Sequence, residues 1–400
     1  MIAAPSSSSI AICGAGIAGL TAALCFAKNG FQVNIYEKCS QLQEVGAGLQ
    51  LGSNATKILQ QLNLLDTCQK KAFTPTDICL KDAKNNKTLF TFPLGDYAQK
   101  RWGAPYLTMH RADLQNILLN AVHAITNISL FLDHEIIGIK GKEFLLNTPQ
   151  GRQTKTAALL VAADGVHSKL AEAYFGKEAI SLTPFIAWRK TITRQEAEKL
   201  FGPCDYSKVK AWMGVGNHLV AYPIAAGEQY NLVAITQTPA PHHPEARPQN
   251  LLYEYFDQTE SCYCTDILQH LTNWKIWPLL TRKNINFIHK DAPHLCFIGD
   301  AAHAFLPFAA QGACMAIEDA AALALYWKKY GQNPSKALQL FSETRQKRIK
   351  QVLRYGTQNG KLYHLRQPLA GLRNIAMQLV PVPLCVKAFD PLYAYSIDKA

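Results

Sequence analysis

The apolar positions of this chain come in short blocks whose period changes along the sequence. Ile10-Ala-Ile-Cys13 is an uninterrupted apolar run, the pattern of a strand buried on both faces. Residues 20–28 are rich in good helix formers, and Asn29-Gly30 supplies a stop. Residues 31–36 form a second β-rich run that ends at Glu37. The apolar run from Leu159 enters an Asp164-Gly165 turn, and the run from Leu295 ends at Gly299. Helix-like segments cover 55–65 and 114–124, and another begins at Gly312. Between 183 and 287 the pattern shifts to short β-like runs at 185–191, 208–213, 219–223 and 230–236, separated by turn residues. This alternation predicts an α/β chain with a parallel sheet, interrupted by a mixed sheet that the excursion 72–105 also joins. The expected units are 1–71 with 106–182 and 288–330, then 72–105 with 183–287, then a helical segment 331–400.

Length agrees: 400 residues suggest two or three units at roughly 150 residues each. With 48% apolar and 18% charged residues, the chain buries real cores and is not disordered. The formal charge of +12 suits an anionic partner, whether nucleotide phosphate, membrane surface or nucleic acid. No basic motif interleaved with aromatics is present, so nucleic acid is not expected. Eleven cysteines are scattered without a CxxC pair, and Cys262 and Cys264 lack a second half with zinc-ligand spacing. No metal site and no disulfide scaffold are expected, and Cys204 and the other cysteines fit a reducing cytosol. The first residues lack a basic segment before the apolar stretch, which adds to a cytoplasmic expectation. The Pro-rich stretch 239–248, with His242-His243, reads as an exposed loop rather than a metal site.

Chemistry enters at Gly14-Ala-Gly16-Ile-Ala-Gly19, directly between the first strand and its helix. Gly14 permits the tight turn, Gly16 lets backbone N–H groups approach a pyrophosphate, and Gly19 lets helix and strand pack closely. Glu37, 21 residues beyond Gly16, is placed to accept from a ribose 2′-hydroxyl. Strand, glycine turn, helix, strand and acid together predict nucleotide binding. They do not separate NAD from FAD.

Three further strings carry a resemblance. Glu44-Val-Gly46-Ala-Gly48-Leu-Gln50 is a second glycine-rich stretch, Asp164-Gly165-Val-His167-Ser168 follows an apolar strand, and Gly299-Asp300-Ala-Ala-His303 runs on through Pro307 and Ala310-Gln311-Gly312 to Glu318-Asp319. With these the chain resembles the FAD-dependent aromatic hydroxylases (class A flavoprotein monooxygenases), most of all the salicylate and 3-hydroxybenzoate hydroxylase branch. The resemblance implies a Rossmann-like, glutathione-reductase-like βαβ domain for FAD, an inserted mixed β-sheet domain for substrate, and C-terminal helices. It implies that Arg111 and Gln115 meet the FAD phosphates, and that Asp164-Gly165 lies near the pyrophosphate and the nicotinamide nucleotide route. Asp300 beside Gly299 would accept from the ribityl chain. Gly312 and Ala313 would open the helix facing the flavin pyrimidine, Pro307 would shape the flavin's ring face, and Gln311 would contact substrate. Lys38 and Gly48 complete the implied cofactor set. Toward the end, Asn359-Gly360, Tyr363-His364 and Asp390-Pro391-Leu-Tyr393 resemble related bacterial sequences, with Pro391 where an aromatic residue is expected.

In His218-Leu-Val-Ala-Tyr222, alternation puts His218, Val220 and Tyr222 on one strand face. Matching hydroxylases use a His and a Tyr here, and a His suits the removal of a phenol proton; the alternative is a core histidine satisfied by a hydrogen bond. Arg189, after Trp188, either steers a carboxylate or a cofactor or serves the surface. Ring hydroxylation needs an oxidant that side chains lack, and no haem or metal-ligand signature is present. The resemblance implies reduction of FAD by NADH or NADPH, addition of O2 to give a C4a-hydroperoxide shielded from water, and transfer of its oxygen to an electron-rich ring. Gly214-Val-Gly216 is followed by Leu219 where a glycine is needed, so the nicotinamide nucleotide has no domain of its own and binds transiently. Two alternatives stay open: a hydroxylase of ubiquinone biosynthesis, against which Ala310-Gln311-Gly312 replaces a Gly-Gln-Gly, and a flavin redox protein or oxidase without hydroxylation. Residues 328–373 hold eleven Lys or Arg against one acid, Glu343, which leaves peripheral contact with an anionic membrane open. The chain is expected as a monomer or homodimer.

Overall fold

A computed structural model describes residues 9–42, 48–202, 206–238, 250–256 and 263–397. Glu44 and Gly46, Cys204, Cys262 and the 239–248 stretch with His242-His243 lie outside the described residues.

The apolar runs become a five-stranded parallel sheet in the order Leu295–Phe297, Leu159–Ala162, Ile10–Cys13, Val33–Tyr36, Ile128–Phe131. Its three innermost strands are continuous apolar or nearly so, and all but one of their residues are buried, as in strands covered on both faces. The helix after the first strand is Ile17–Lys28, so it starts inside the glycine motif rather than at residue 20, and Asn29 caps its end. It packs against the helix Gly312–Tyr330.

The second unit is a seven-stranded mixed sheet in the order Lys275–Arg282, Ile180–Thr193, Gln229–Gln237, Asn217–Ile224, Val209–Met213, Asp77–Asp82, Thr88–Pro93. Val209–Met213 and Asp77–Asp82 pair in parallel, and the other neighbours are antiparallel. The strand Ile180–Thr193 starts five residues ahead of its apolar pattern. A bulge between Leu182 and Ile186 accommodates Pro184, which cannot donate to a ladder. The short ribbon Gly48–Leu51 with Leu107–His110 joins the two units. A three-stranded meander, Glu135–Lys140, Glu143–Thr148 and Gly151–Thr156, has no counterpart in the sequence pattern. Five of the six residues in its last strand are exposed and none is apolar, so alternation carried no signal there.

The C-terminal part is helical: Pro334–Tyr363, Leu369–Leu379 and Val382–Tyr393. Pro391 falls inside the last helix, and its carbonyl accepts from Arg348 Nη1 at 2.6 Å. A buried charge network ties these helices to the first unit. Arg345 Nε donates to Asp319 Oδ1 and Nη1 to Glu318 Oε2, each at 2.7 Å. Arg348 donates to both oxygens of Glu318, at 3.0 and 2.8 Å. Asp319 Oδ2 also accepts from the Gly299 N–H at 2.9 Å and pairs with His303 Nε2 at 2.5 Å.

Candidate functional site

At the carboxyl ends of the parallel strands a cleft of about 1010 Å³ runs from the glycine motif across to the mixed sheet. Gly14 adopts φ +99°, and a Cβ there would stand 2.7 Å from the Ala163 carbonyl oxygen. A Cβ on Gly19 would stand 2.0 Å from the Gly14 oxygen, so this residue allows helix and turn to touch. Gly16 has open space where a Cβ would be and lines the cleft. Gly14→Ala is therefore expected to weaken cofactor affinity about tenfold or more, since left-handed strain alone costs about 1–3 kcal/mol. Titration of apoprotein with FAD checks this, and unchanged affinity together with unchanged melting would refute it.

Glu37 is held at the end of its strand: Oε2 accepts from the Ala15 N–H at 2.8 Å and Oε1 from the Cys39 N–H at 3.0 Å. Each oxygen retains further acceptor capacity toward the cleft, which Glu37 and Lys38 both line. Gln115 is buried and donates to the Ala15 carbonyl at 3.0 Å, while Arg111 opens the helix Arg111–His123; both line the same wall. Asp164, Gly165, Asp300, Gly312 and Ala313 line the cleft as well. Asp164 Oδ1 is buried without a hydrogen-bond partner, and burial pushes this carboxyl above its ordinary value.

Arg282, which the sequence did not mark, holds the two acidic turns together. It donates to the Asp300 carbonyl at 2.8 Å and the Val166 carbonyl at 3.1 Å. Two helices, Ile17–Lys28 and Gly312–Tyr330, start at this cleft with no side-chain cap and no acid in their first turns. Their first N–H groups and dipoles favour negative charge in the space between. Gly299, at φ +60°, sits behind the wall. A Cβ there would come within 3.2 Å of Ala18 Cβ and 3.4 Å of Ala316 Cβ.

The far end of the cleft is walled by the strand Asn217–Ile224. His218, Val220 and Tyr222 all face it, as alternation required. Burial pushes the Tyr222 hydroxyl above its usual value, partly offset by Arg189 and by a bond with Asn231. Asn231 also accepts from the Gly48 N–H at 3.0 Å, and a Cβ on Gly48 would stand 2.9 Å from the Tyr222 hydroxyl. Gly48 thus allows the ribbon to close on the tyrosine. Arg189 lines the same end, its guanidinium 5.1 Å from the Trp277 ring centre. Pro307, Phe308 and Tyr363 complete the apolar wall.

His218 Nδ1 lies 2.8 Å from His364 Nε2, at the end of the long C-terminal helix. Burial, reinforced by His364, holds His218 well below the usual histidine range; burial brings His364 to about 4. Both rings are neutral at pH 7, so one nitrogen of the pair donates and the other accepts. His364 also lines a second cavity of about 1010 Å³, beside Phe185, Leu306, Lys350, Gly356 and Lys361. The histidine pair therefore joins the cleft to that second space.

Gln311 is not brought to the cleft. It occupies the residue before the helix Gly312–Tyr330 and is buried, and its Oε1 accepts from Asn54 Nδ2 at 3.0 Å. The expected substrate contact is corrected to one that fixes the helix start, because the helix turns this side chain toward Asn54. Among the described residues no cluster of His, Cys, Asp and Glu could hold a metal ion.

A family described as FAD binding domain matches residues 7–355. The 3-hydroxybenzoate 6-hydroxylase 1 of Aquipseudomonas alcaligenes is 30% identical over 92% of this chain and 93% of its own length. The 6-hydroxynicotinate 3-monooxygenase of Pseudomonas fluorescens is 28% identical over 88% of this chain and 90% of its own. Among solved structures, a salicylate hydroxylase substrate complex superposes with a TM-score of 0.79 at 20% identity, over 98% of this chain and 97% of that one.

Proposed function

Because the chain belongs to the FAD binding domain family and is an FAD-dependent monooxygenase, we propose that it hydroxylates a small phenolic or aromatic acid, using NADH or NADPH as a transient electron donor. The observation that carries this reading is the pairing of His218 and Tyr222 on one strand face at the far end of the cleft. The relatives named for 3-hydroxybenzoate and 6-hydroxynicotinate act on rings that bear both a hydroxyl and a carboxylate.

The cleft fits FAD. An orphaned buried oxygen on Asp164, an open backbone at Gly16 and two uncapped helix starts suit a pyrophosphate and a polyol. Gly14, Gly16, Gly19, Glu37, Lys38, Arg111 and Gln115 would hold its adenosine and phosphate parts. Gly48, Asp164, Gly165, Gly299, Asp300, Gly312 and Ala313 would hold the remainder. The chemistry FAD would supply there is acceptance of hydride from the nicotinamide nucleotide and activation of O2.

The chain's own residues prepare the ring. His218 accepts the phenol proton, which raises the ring's electron density, and Tyr222 orients the phenol oxygen. His364 receives the proton that His218 carries and passes it toward the second cavity. Arg189, fixed over Trp277, is the counter-ion for a carboxylate. Pro307 and Phe308 keep water from the reacting face. We assign FAD to 1–71, 106–182 and 288–330, substrate to 72–105 and 183–287, and infer a cytoplasmic monomer or homodimer.

The test is turnover under ¹⁸O2 with a panel of phenolic acids. One labelled atom is expected in the hydroxylated product, and flavin reduction is expected to quicken when the substrate is present. Consumption of NAD(P)H with no label in any organic product would refute the reading in favour of an oxidase.

A further inference from the structure

Ten large apolar side chains are exposed among the described residues, and seven of them fall between 369 and 384. They occupy the helix Leu369–Leu379, the start of Val382–Tyr393 and the turn between, with Leu372 at 61%, Leu379 at 76% and Leu384 at 63% exposed. The first of these helices is turned inside out relative to an ordinary surface helix. Two of its polar residues point inward: Arg373 Nη1 donates to the Leu362 carbonyl at 2.8 Å, and Asn374 Nδ2 to Asp82 Oδ2 at 2.6 Å. Leu369, Leu372, Ile375 and Leu379, spaced three and four apart, form the outer stripe. An apolar concentration of this kind marks a surface that meets something other than water.

Charge identifies the partner. From 344 to 389 the chain contains no Asp or Glu, and Lys347, Lys350, Arg354, Lys361, Arg366 and Lys387 are exposed. A second copy of the chain docked by two-fold symmetry would set these cations against themselves. An anionic lipid surface meets both requirements, taking the leucines into its acyl boundary and the cations at its headgroups. Among the described residues no single helix is long and apolar enough to cross a membrane, and this pair bends by 100°, so it suits lying in the interface.

The same two helices have an inner face. Met377, Cys385, Phe389 and Tyr393 line the cleft. We propose that the helix pair Leu369–Tyr393 is an interfacial foot that seats the enzyme on an anionic bilayer and lets phenols dissolved in that bilayer reach the cleft. Only the delivery of phenol rests on the hydroxylase reading; the docking does not.

The experiment is co-sedimentation of the FAD-loaded enzyme with phosphatidylglycerol vesicles and with phosphatidylcholine vesicles at low salt. The comparison protein carries Leu372→Ser, Leu379→Ser and Leu384→Ser, none of which lines the cleft. The parent protein is expected to pellet with the anionic vesicles and the triple variant to bind them at least about tenfold more weakly, because three leucines no longer enter the acyl boundary. Flavin content and turnover of a water-soluble phenol are expected to be the same in both proteins. If neither protein pellets, or both pellet equally, the proposal is overturned. A parent dimer in solution that the triple variant converts to monomer, without vesicle binding, also overturns it and assigns the face to a second copy. Failure of phenol turnover in both proteins would count against the hydroxylase reading and leave the docking result intact.

Discussion

Arg345→Met is expected to lower the free energy of unfolding by about 3–5 kcal/mol, read as a fall in the urea midpoint. Arg345 is fully buried and bonds at 2.7 Å to both acids of the pair Glu318-Asp319. Two arginines and two carboxylates balance inside the protein, and methionine leaves one carboxylate too many. Burial by itself pushes Asp319 up, but His303 and Arg345 outweigh it and hold the group below the usual carboxylate range. Burial opposes Glu318 in the same way, and Arg348 and Arg345 outweigh it. Folded values lowered in this way stabilise the protein above the unfolded carboxylate range near about 4. That contribution disappears as pH falls through the folded values. The parent protein is therefore expected to lose stability on acidification more steeply than Arg345→Met. The cofactor end should respond too, because the Gly299 N–H is tethered to Asp319 Oδ2. A midpoint shift equivalent to less than about 0.5 kcal/mol, the range of ordinary surface changes, would contradict the assignment.

That network also shows where the sequence was legible and where it was not. The string from Gly299 to Asp319 is visible as a motif, yet its partners Arg345 and Arg348 read as two more cations on a basic helix. Their burial follows from a helix packing that no local period encodes. The glycine turn, by contrast, is local: Gly14 and Gly19 meet within six residues with Gly16 between them, so spacing alone places them. The alternation that sets His218 and Tyr222 on one face is local as well. His364 is not, being 146 positions from His218 in sequence. Gln311 was misplaced because a motif position gives no side-chain direction. The meander from 135 to 156 escaped because its strands are polar or half exposed.

His218→Ala is expected to keep its flavin and hydroxylate at least about tenfold more slowly, a cautious bound on what a positioned base contributes. Nicotinamide nucleotide is expected to be oxidised without matching product, because the ring is no longer activated. His364→Phe separates relay from packing. It keeps a ring against Phe185 and Phe308, both near His364 in the parent, but it cannot take the proton from His218. Its turnover is expected to fall less than that of His218→Ala and to recover partly with added imidazole. The pair also sets a pH profile. Burial lowers His364 to about 4, below the unfolded histidine value of about 6.5. The unfolded chain binds more protons between those values, so stability falls as pH drops from about 6.5 toward about 4. Hydroxylation by the folded enzyme falls only at the lower end of that window, as pH nears about 4 and protonation of His364 removes the acceptor. His364→Phe should lose this limb of the profile while its melting temperature at pH 7 stays near the parent's. If it retains the limb and turns over normally, the two histidines only pack together and the proton leaves by another path.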